Sequence, residues 1–274
     1  MLTKKAKGKR AVDKASVSGI LLGLAGIVGG LLLEGGNVSQ VLQPTAAMIV
    51  FGGTAGAVLI QFPMPVVLCA VRRLAGIFFE PAVTVQSAIE LLVNFADIAR
   101  RRGIVALDAE LKNVHDPFMR KVLMLAVDGT EPQELRKIAE LELDNQYDRE
   151  ERFPQVFESA GGFSPTVGII GAVLGLIQVM QHLDKIDEVG SGIAVAFVAT
   201  IYGVGAANLL FLPAAGKLRI RLREEQARRE MVLEGVISIL EGMSPRMLRT
   251  ALDSFLGESK IEVPAAQKAK AAGA

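Results

Sequence analysis

Thr166, Gln178, Thr200, Tyr202 and Asn208 stand, together with Pro165, inside two long stretches that carry no charge, Ser159 to Gln181 and Val189 to Gly216. None of these groups ionises at neutral pH, so none picks up and releases a proton by itself. Hydroxyls and amides bond water or a neighbouring helix, and against bare lipid they are costly. Their presence points to helices that line something.

Ion transfer through a membrane normally needs an ionisable side chain near the midplane, and no uncharged stretch of this chain supplies one. A carboxylate for such work has to come from another chain. Other chemistry is poorly provided for. His115 and His182 stand far apart without the Cys or acidic spacing of a metal site, so no metal is expected, and Cys69 sits in an apolar run as a packing residue. There is no GxxxxGK[ST], HExxH or GxSxG, and GVGAAN at 203–208 lacks the strand and spacing of a dinucleotide fingerprint. Neither enzymatic turnover nor a cofactor is expected, and a net charge of +1 gives no global field for nucleic acid.

The elements that must position these groups are membrane helices. The composition, 51% hydrophobic over 274 residues with a mean hydropathy of +0.39, is that of a membrane protein. Besides the two stretches above, Ala15 to Leu33 and a run whose membrane part falls at about Pro44 to Phe62 come close to the roughly 20 residues that cross about 30 Å of hydrocarbon. The first has the basic start of a signal peptide, but it is long and ends in LLLEGG without a small-x-small cleavage pattern, so a retained helix is expected. The second continues uncharged to Val71, with Pro63 and Pro65 marking a kink or break. Small residues recur at helical spacing: Gly19, Gly23, Gly26 and Gly30; Gly168, Gly171 and Gly175; Gly192, Ala196, Ala199 and Gly203. Such stripes allow close approach of backbones, either within one chain or from a partner.

Basic residues set the orientation. Lys4, Lys5, Lys7, Lys9, Arg10 and Lys14, then Arg72 with Arg73, Arg149 with Arg152, and Lys217, Arg219, Arg221 and Arg223 fall on one side, whereas the turns opposite hold Lys185 and no Arg. Four crossings with both termini in the cytoplasm satisfy the charge rule. The expectation is an all-α membrane protein: a basic N-terminus (1–14), a membrane hairpin (15–71), a helical cytoplasmic domain (72–158), a second hairpin (159–216), a cytoplasmic helical region (217–259) and a disordered tail (260–274). Ile89, Leu92, Phe95, Ala96 and Ala99 give the middle domain its helical period, and Ser244 with Pro245 starts a last short helix.

PTVGIIGAVLGL, a short turn, and GIAVAFVATIYGVGAANLLFLP together resemble the bacterial flagellar stator A-subunit family, MotA and its relatives, which is grouped with the TolQ and ExbB proton-channel proteins. The match is close over the third and fourth helices, and the order of apolar and polar segments follows the family over nearly the whole chain. The resemblance implies an inner-membrane subunit, assembled as a pentamer in lipid around a dimer of a single-span, MotB-like B-subunit whose membrane Asp carries the ion. The complex would turn ion flow into torque.

On the same resemblance, Thr200 matches a residue at the ion path. Ala172 stands where sodium-driven relatives tend to carry a second Thr, which favours protons over sodium. Pro165 and Pro213 match prolines tied to conformational switching. Within IARRRGIVALDAEL, Arg100 and Asp108 match a charge pair that faces the rotor protein FliG, with Arg101 and Glu110 as neighbours. Three consecutive Arg, and Asp in place of Glu, depart from the family pattern.

Plainer readings compete at each position. A Thr inside a span commonly returns its hydroxyl to the carbonyl three or four residues back, a Pro can simply start or stop a helix, and charges can form a solvated face. A TolQ- or ExbB-like energiser of envelope processes is the main alternative function, although those relatives typically have three spans. A membrane scaffold without ion movement is another.

Overall fold

A computed structural model of the chain describes residues 13–74, 76, 85–183 and 186–257. Among them there is no strand, and the helices run in the order α1 (Lys14–Leu33), α2 (Pro44–Gln61), α3 (Met64–Leu74), α4 (Val85–Arg102), a 3-10 stretch (Ile104–Asn113), α5 (Pro117–Val127), α6 (Pro132–Gln181), α7 (Ile186–Ala206), a π-turn (Ala207–Phe211), α8 (Leu212–Leu240) and α9 (Pro245–Gly257). Among the described residues, four helices or helical runs are long and apolar enough to cross a membrane: α1, α2, α6, and the run from Val189 onward. The protein is a multi-pass membrane protein, as its composition requires. The basic residues before position 13, Lys185 and the tail beyond 257 lie outside the described residues.

Helix ends follow local chemistry. The Asp13 carboxylate accepts from the N–H groups of Ala15 (3.1 Å) and Ser16 (3.3 Å) and so caps α1. Pro44 opens α2, where its missing donor costs nothing. α2 stops because Phe62 is extended (φ −121°) ahead of Pro63, and the uncharged run resumes as the separate helix α3. Gly103, at φ +83°, turns the chain from α4 into the 3-10 stretch, a conformation that favours glycine. Ser244 accepts from the Met247 N–H at 3.3 Å to start α9.

Two compact units form. One comprises Met1–Pro81 with Asp148–Leu222, the other Ala82–Tyr147 with Arg223–Ala274, so α6 and α8 contribute to both. The second has an ordinary apolar core of Ile89, Leu92, Phe95, Val122, Leu123, Leu135, Leu143, Met231, Val236, Leu248 and Leu252. Each such side chain contributes about 1.5–3 kcal/mol when fully buried. The core is stiffened by Arg228, only 7% exposed, which meets Asp116 at 2.6 Å and Glu225 at 2.7 Å.

In the membrane unit, packing relies on small residues. Ala46 and Val50 of α2 meet Val198 and Ala199 of α7, and Val58, Ala70, Val156, Phe157, Ala160, Ala214 and Ala215 form a second cluster. Lipid tails are as apolar as Leu, so close van der Waals contact and not water exclusion holds these helices together. Charge pairs collect beside the second cluster: Arg219 bonds Glu151 (3.0 Å) and Glu158 (2.7 Å), while Arg73 bonds Glu150 (2.7 Å) and lies 4.4 Å over the Phe153 ring.

Candidate functional site

The two uncharged stretches become the end of α6 and α7 from Val189 onward with its continuation, facing each other through their glycines. A methyl group at Gly168 would stand 2.9 Å from the Ala199 carbonyl oxygen; at Gly175, 2.8 Å from that of Gly192; and at Gly203, 2.6 Å from that of Ser164. At Gly171 it would meet the Ala199 side chain at 2.7 Å. Gly168, Gly171 and Gly175 therefore pack against Gly192, Ala196, Ala199 and Gly203 of the same chain.

The opposite faces are open. Ile169, Ile170, Val173, Leu174 and Ile177 of α6 are exposed, as are Ile193, Phe197, Ile201 and Val204 of α7. Thr200 stands half-buried beside this second set, and its hydroxyl donates to the Ala196 carbonyl at 3.3 Å. The hydroxyl oxygen can still accept a hydrogen bond. Ala172, half-buried on α6, offers no oxygen beyond its backbone.

Most of the other polar groups are spent locally. Thr166 donates to the Phe163 carbonyl (2.7 Å) and Asn208 to that of Val204 (2.9 Å), while Gln178 is exposed. Tyr202 is different: its hydroxyl donates to the Val41 carbonyl at 2.6 Å and accepts from the Gln43 N–H at 3.3 Å, in the connection between α1 and α2. Two buried hydroxyls escaped notice in the sequence. Thr54 (3% exposed) and Ser164 (0%) have no hydrogen-bond partner among the described residues. Spacing could have found them, since Ser164 precedes Gly168 by one helical turn and Thr54 continues the buried series Ala46, Val50.

The two prolines differ in setting. Pro165 lies inside α6, which continues through it, and it has no N–H to give the Gly161 carbonyl. Pro213 lies exposed just inside α8, directly after the π-turn in which the Leu212 N–H reaches back five residues to Ala207. A residue without a donor and a widened turn adjoin, a combination that weakens a helix locally.

Of the charged candidates, Arg100 lies in the last turn of α4 and Asp108 in the 3-10 stretch; both are exposed, and neither forms an ion pair among the described residues. Arg101 is held by Asp97 at 3.1 Å, and Glu110 accepts from Asn113 at 3.2 Å.

Comparison with known proteins places this architecture. The MotA/TolQ/ExbB proton channel family matches residues 110–231, and the motility protein A N-terminal family matches residues 17–103. Motility protein A of Bacillus subtilis (strain 168) is 35% identical over 89% of this chain and 91% of its own length. Chemotaxis protein PomA of Vibrio alginolyticus is 30% identical over 91% and 97%. Among solved structures, C. jejuni MotAB superposes with a TM-score of 0.86 at 29% identity, covering 92% of this chain and 98% of that one. The flagellar MotAB stator complex from Bacillus subtilis gives 0.82 at 34% identity over 94% and 99%. The chain belongs to the MotA/TolQ/ExbB proton channel family, within its motility protein A group.

Proposed function

We propose that this chain is the A-subunit of a flagellar stator in the bacterial inner membrane, which with a single-span, MotB-like B-subunit carrying a membrane Asp conducts protons and turns their flow into torque on the rotor. One observation carries the reading. The α6 and α7 hairpin holds a mid-span hydroxyl, Thr200, beside an open apolar face, yet has no charged residue from Ser159 to Gln181 or from Val189 to Gly216. Such a surface needs a carboxylate from a second chain before an ion can cross. It moves ions and transforms no substrate.

Protons are the ion this hairpin suits. A proton needs a hydrogen-bonded route, whereas a dehydrating sodium ion needs a shell of oxygens, and Ala172 adds none. Several copies around the B-subunit, most simply five, would close the open faces against one another, the partner and lipid. Both termini lie in the cytoplasm on this reading, with Arg100 and Asp108 turned to FliG.

Rotation of tethered cells tests it. A strain deleted for this gene and for any second stator is expected to keep its filaments, lose torque and regain it on re-expression. Rotation should persist when sodium is replaced by potassium and stop with a protonophore, and Thr200→Ala should lower it. Unchanged rotation in the deleted strain would instead favour an envelope energiser.

A further inference from the structure

α1 lies against the rest of its unit without being packed into it. None of its residues is buried, and Leu21, Leu22, Leu24, Ile27 and Leu33 are all exposed. Three contacts among the described residues tie α1 and the residues flanking it to the single helical run formed by α7, the π-turn and α8.

At its first end, Asp13 both caps α1 and meets Lys217 of α8 at 2.5 Å, with Arg221 at 3.5 Å. The Lys217 ammonium and the Ser16 N–H hold the Asp13 carboxyl well below the usual carboxylate range, so it stays charged at any physiological pH. In the middle, Gly23 lies over the π-turn: a methyl group there would stand 3.2 Å from the Leu209 side chain. Beyond the far end, past the 3-10 turn Val38–Gln40, Tyr202 of α7 donates its hydroxyl to Val41 and accepts from Gln43, the residue that precedes α2.

The two polar contacts therefore lie on opposite sides of the π-turn and Pro213. From Tyr202 to Lys217 a helix rises about 22 Å, and the 20 residues of α1 span about 30 Å, long enough to bridge the weak point. An unbraced helix with a π-turn and a proline would bend there over a range of angles. A helix pinned at one end, and held at the other through the capped turn that follows it, removes that freedom.

We infer that α1 together with the capped 3-10 turn after it is a strut, pinned to α8 by Asp13 and, through Val41 and Gln43, to α7 by Tyr202, that sets the angle at which the Thr200 helix passes through the π-turn. Asp13 and Tyr202 are positioning residues that touch no ion. Because the strut needs both pins, losing either frees it. Losing both adds little, although sites so far apart would otherwise add independently.

Tyr202→Phe removes only the hydroxyl. Asp13→Asn keeps a good capping side chain and removes only the charge facing Lys217, whereas Asp13→Glu keeps the charge. Two measurements on the full complex test the strut, and only the first rests on the stator reading.

In cells regaining rotation stepwise, each single variant should give a normal number of steps with each step lowered roughly twofold or more, the scale on which one lost hydrogen bond shifts a two-state equilibrium. The double variant should match the worse single, and Asp13→Glu should recover most of the height. In purified complexes, with labelled chains diluted among unlabelled ones, spin labels at Leu22 and Ile220 should give a narrow distance distribution that broadens in Tyr202→Phe and Asp13→Asn. Distributions as narrow as the parent's in both variants would overturn the strut whatever the motor does. So would additive losses in the double variant, or fewer steps of unchanged height.

Discussion

Gly203 has no room for a methyl group, because it would stand 2.6 Å from the Ser164 carbonyl oxygen, and backbone cannot swing aside as a side chain can. Gly203→Ala is therefore expected to cost about 1–3 kcal/mol of hairpin packing, read as a lower unfolding temperature of the purified complex and fewer complexes per cell. Gly235→Ala is the control. Its methyl first meets the tip of Leu92 at 2.7 Å, a flexible end that can move, and the loss should be smaller. The stripe that holds Gly203 was legible in advance, since small residues at three and four share a helix face wherever the helix goes, but not whether it meets its own chain or a partner. The Tyr202 and Asp13 contacts were not. Tyr202 bonds backbone atoms some 160 positions away, and Asp13 reads in the sequence only as the lone acid of a basic segment. Neither leaves a periodic trace.

Asp116 allows a prediction in pH at the same scale. Burial pushes its carboxyl up, but the Met119 N–H and the Arg228 guanidinium more than offset this and hold it below the ordinary carboxylate range. A depressed folded-state value means that the stabilisation is complete above the unfolded value of about 3.9 and is lost as pH falls through the lower folded one. Asp116→Asn keeps the cap on α5 and removes the charge facing Arg228, which retains Glu225 at 2.7 Å. A loss of about 1–3 kcal/mol is expected, visible as a lower unfolding temperature at pH 7, and the gap to the parent should close in strong acid. A gap that persisted unchanged below about pH 3 would assign the effect to packing and not to the charge.

Among the elements, the break after α2 and the start of α9 followed directly from Pro63 and from Ser244 with Pro245, because a proline restricts its own backbone and that of its predecessor. The π-turn was hidden. A widened turn depends on how α7 and α8 share one axis past Pro213, and ANLLF has no composition that distinguishes it from ordinary helix. Pro213→Ala restores an N–H at the position where the regular ladder is interrupted. It is expected to draw Ala207–Phe211 back toward α-helix, which hydrogen exchange would report as slower exchange at 208–214 in the purified complex. Rotation should become less efficient in the same variant if bending there belongs to the power stroke. Unchanged exchange would mean that packing of Leu209 and Leu212, and not the missing donor, sets the π-turn.

Taken whole, the molecule divides its physics between two units: one whose uncharged helices are held by glycine contacts and carry their ion pairs beyond the uncharged stretches, the other held by an apolar core and covered with charge. Part of the charge on the second unit is committed internally. Arg136 pairs with Glu234 and Glu140, Lys121 with Glu142, Arg228 with Asp116 and Glu225, Arg229 with Glu225, and Arg101 with Asp97. Arg100 and Asp108 are exposed and form no ion pair among the described residues, which leaves their fields available to a partner. If that partner is the rotor, Arg100→Glu should lower torque at normal stator abundance, and reversing one acidic rotor residue should restore part of it. Charge of this kind governs docking and partner choice more than affinity. Arg101→Glu should matter less for docking, because the charge it reverses is already engaged by Asp97, and should instead loosen the end of α4. Equal torque loss in both variants, with no rescue by any rotor reversal, would move the contact away from α4 and onto another face of the unit.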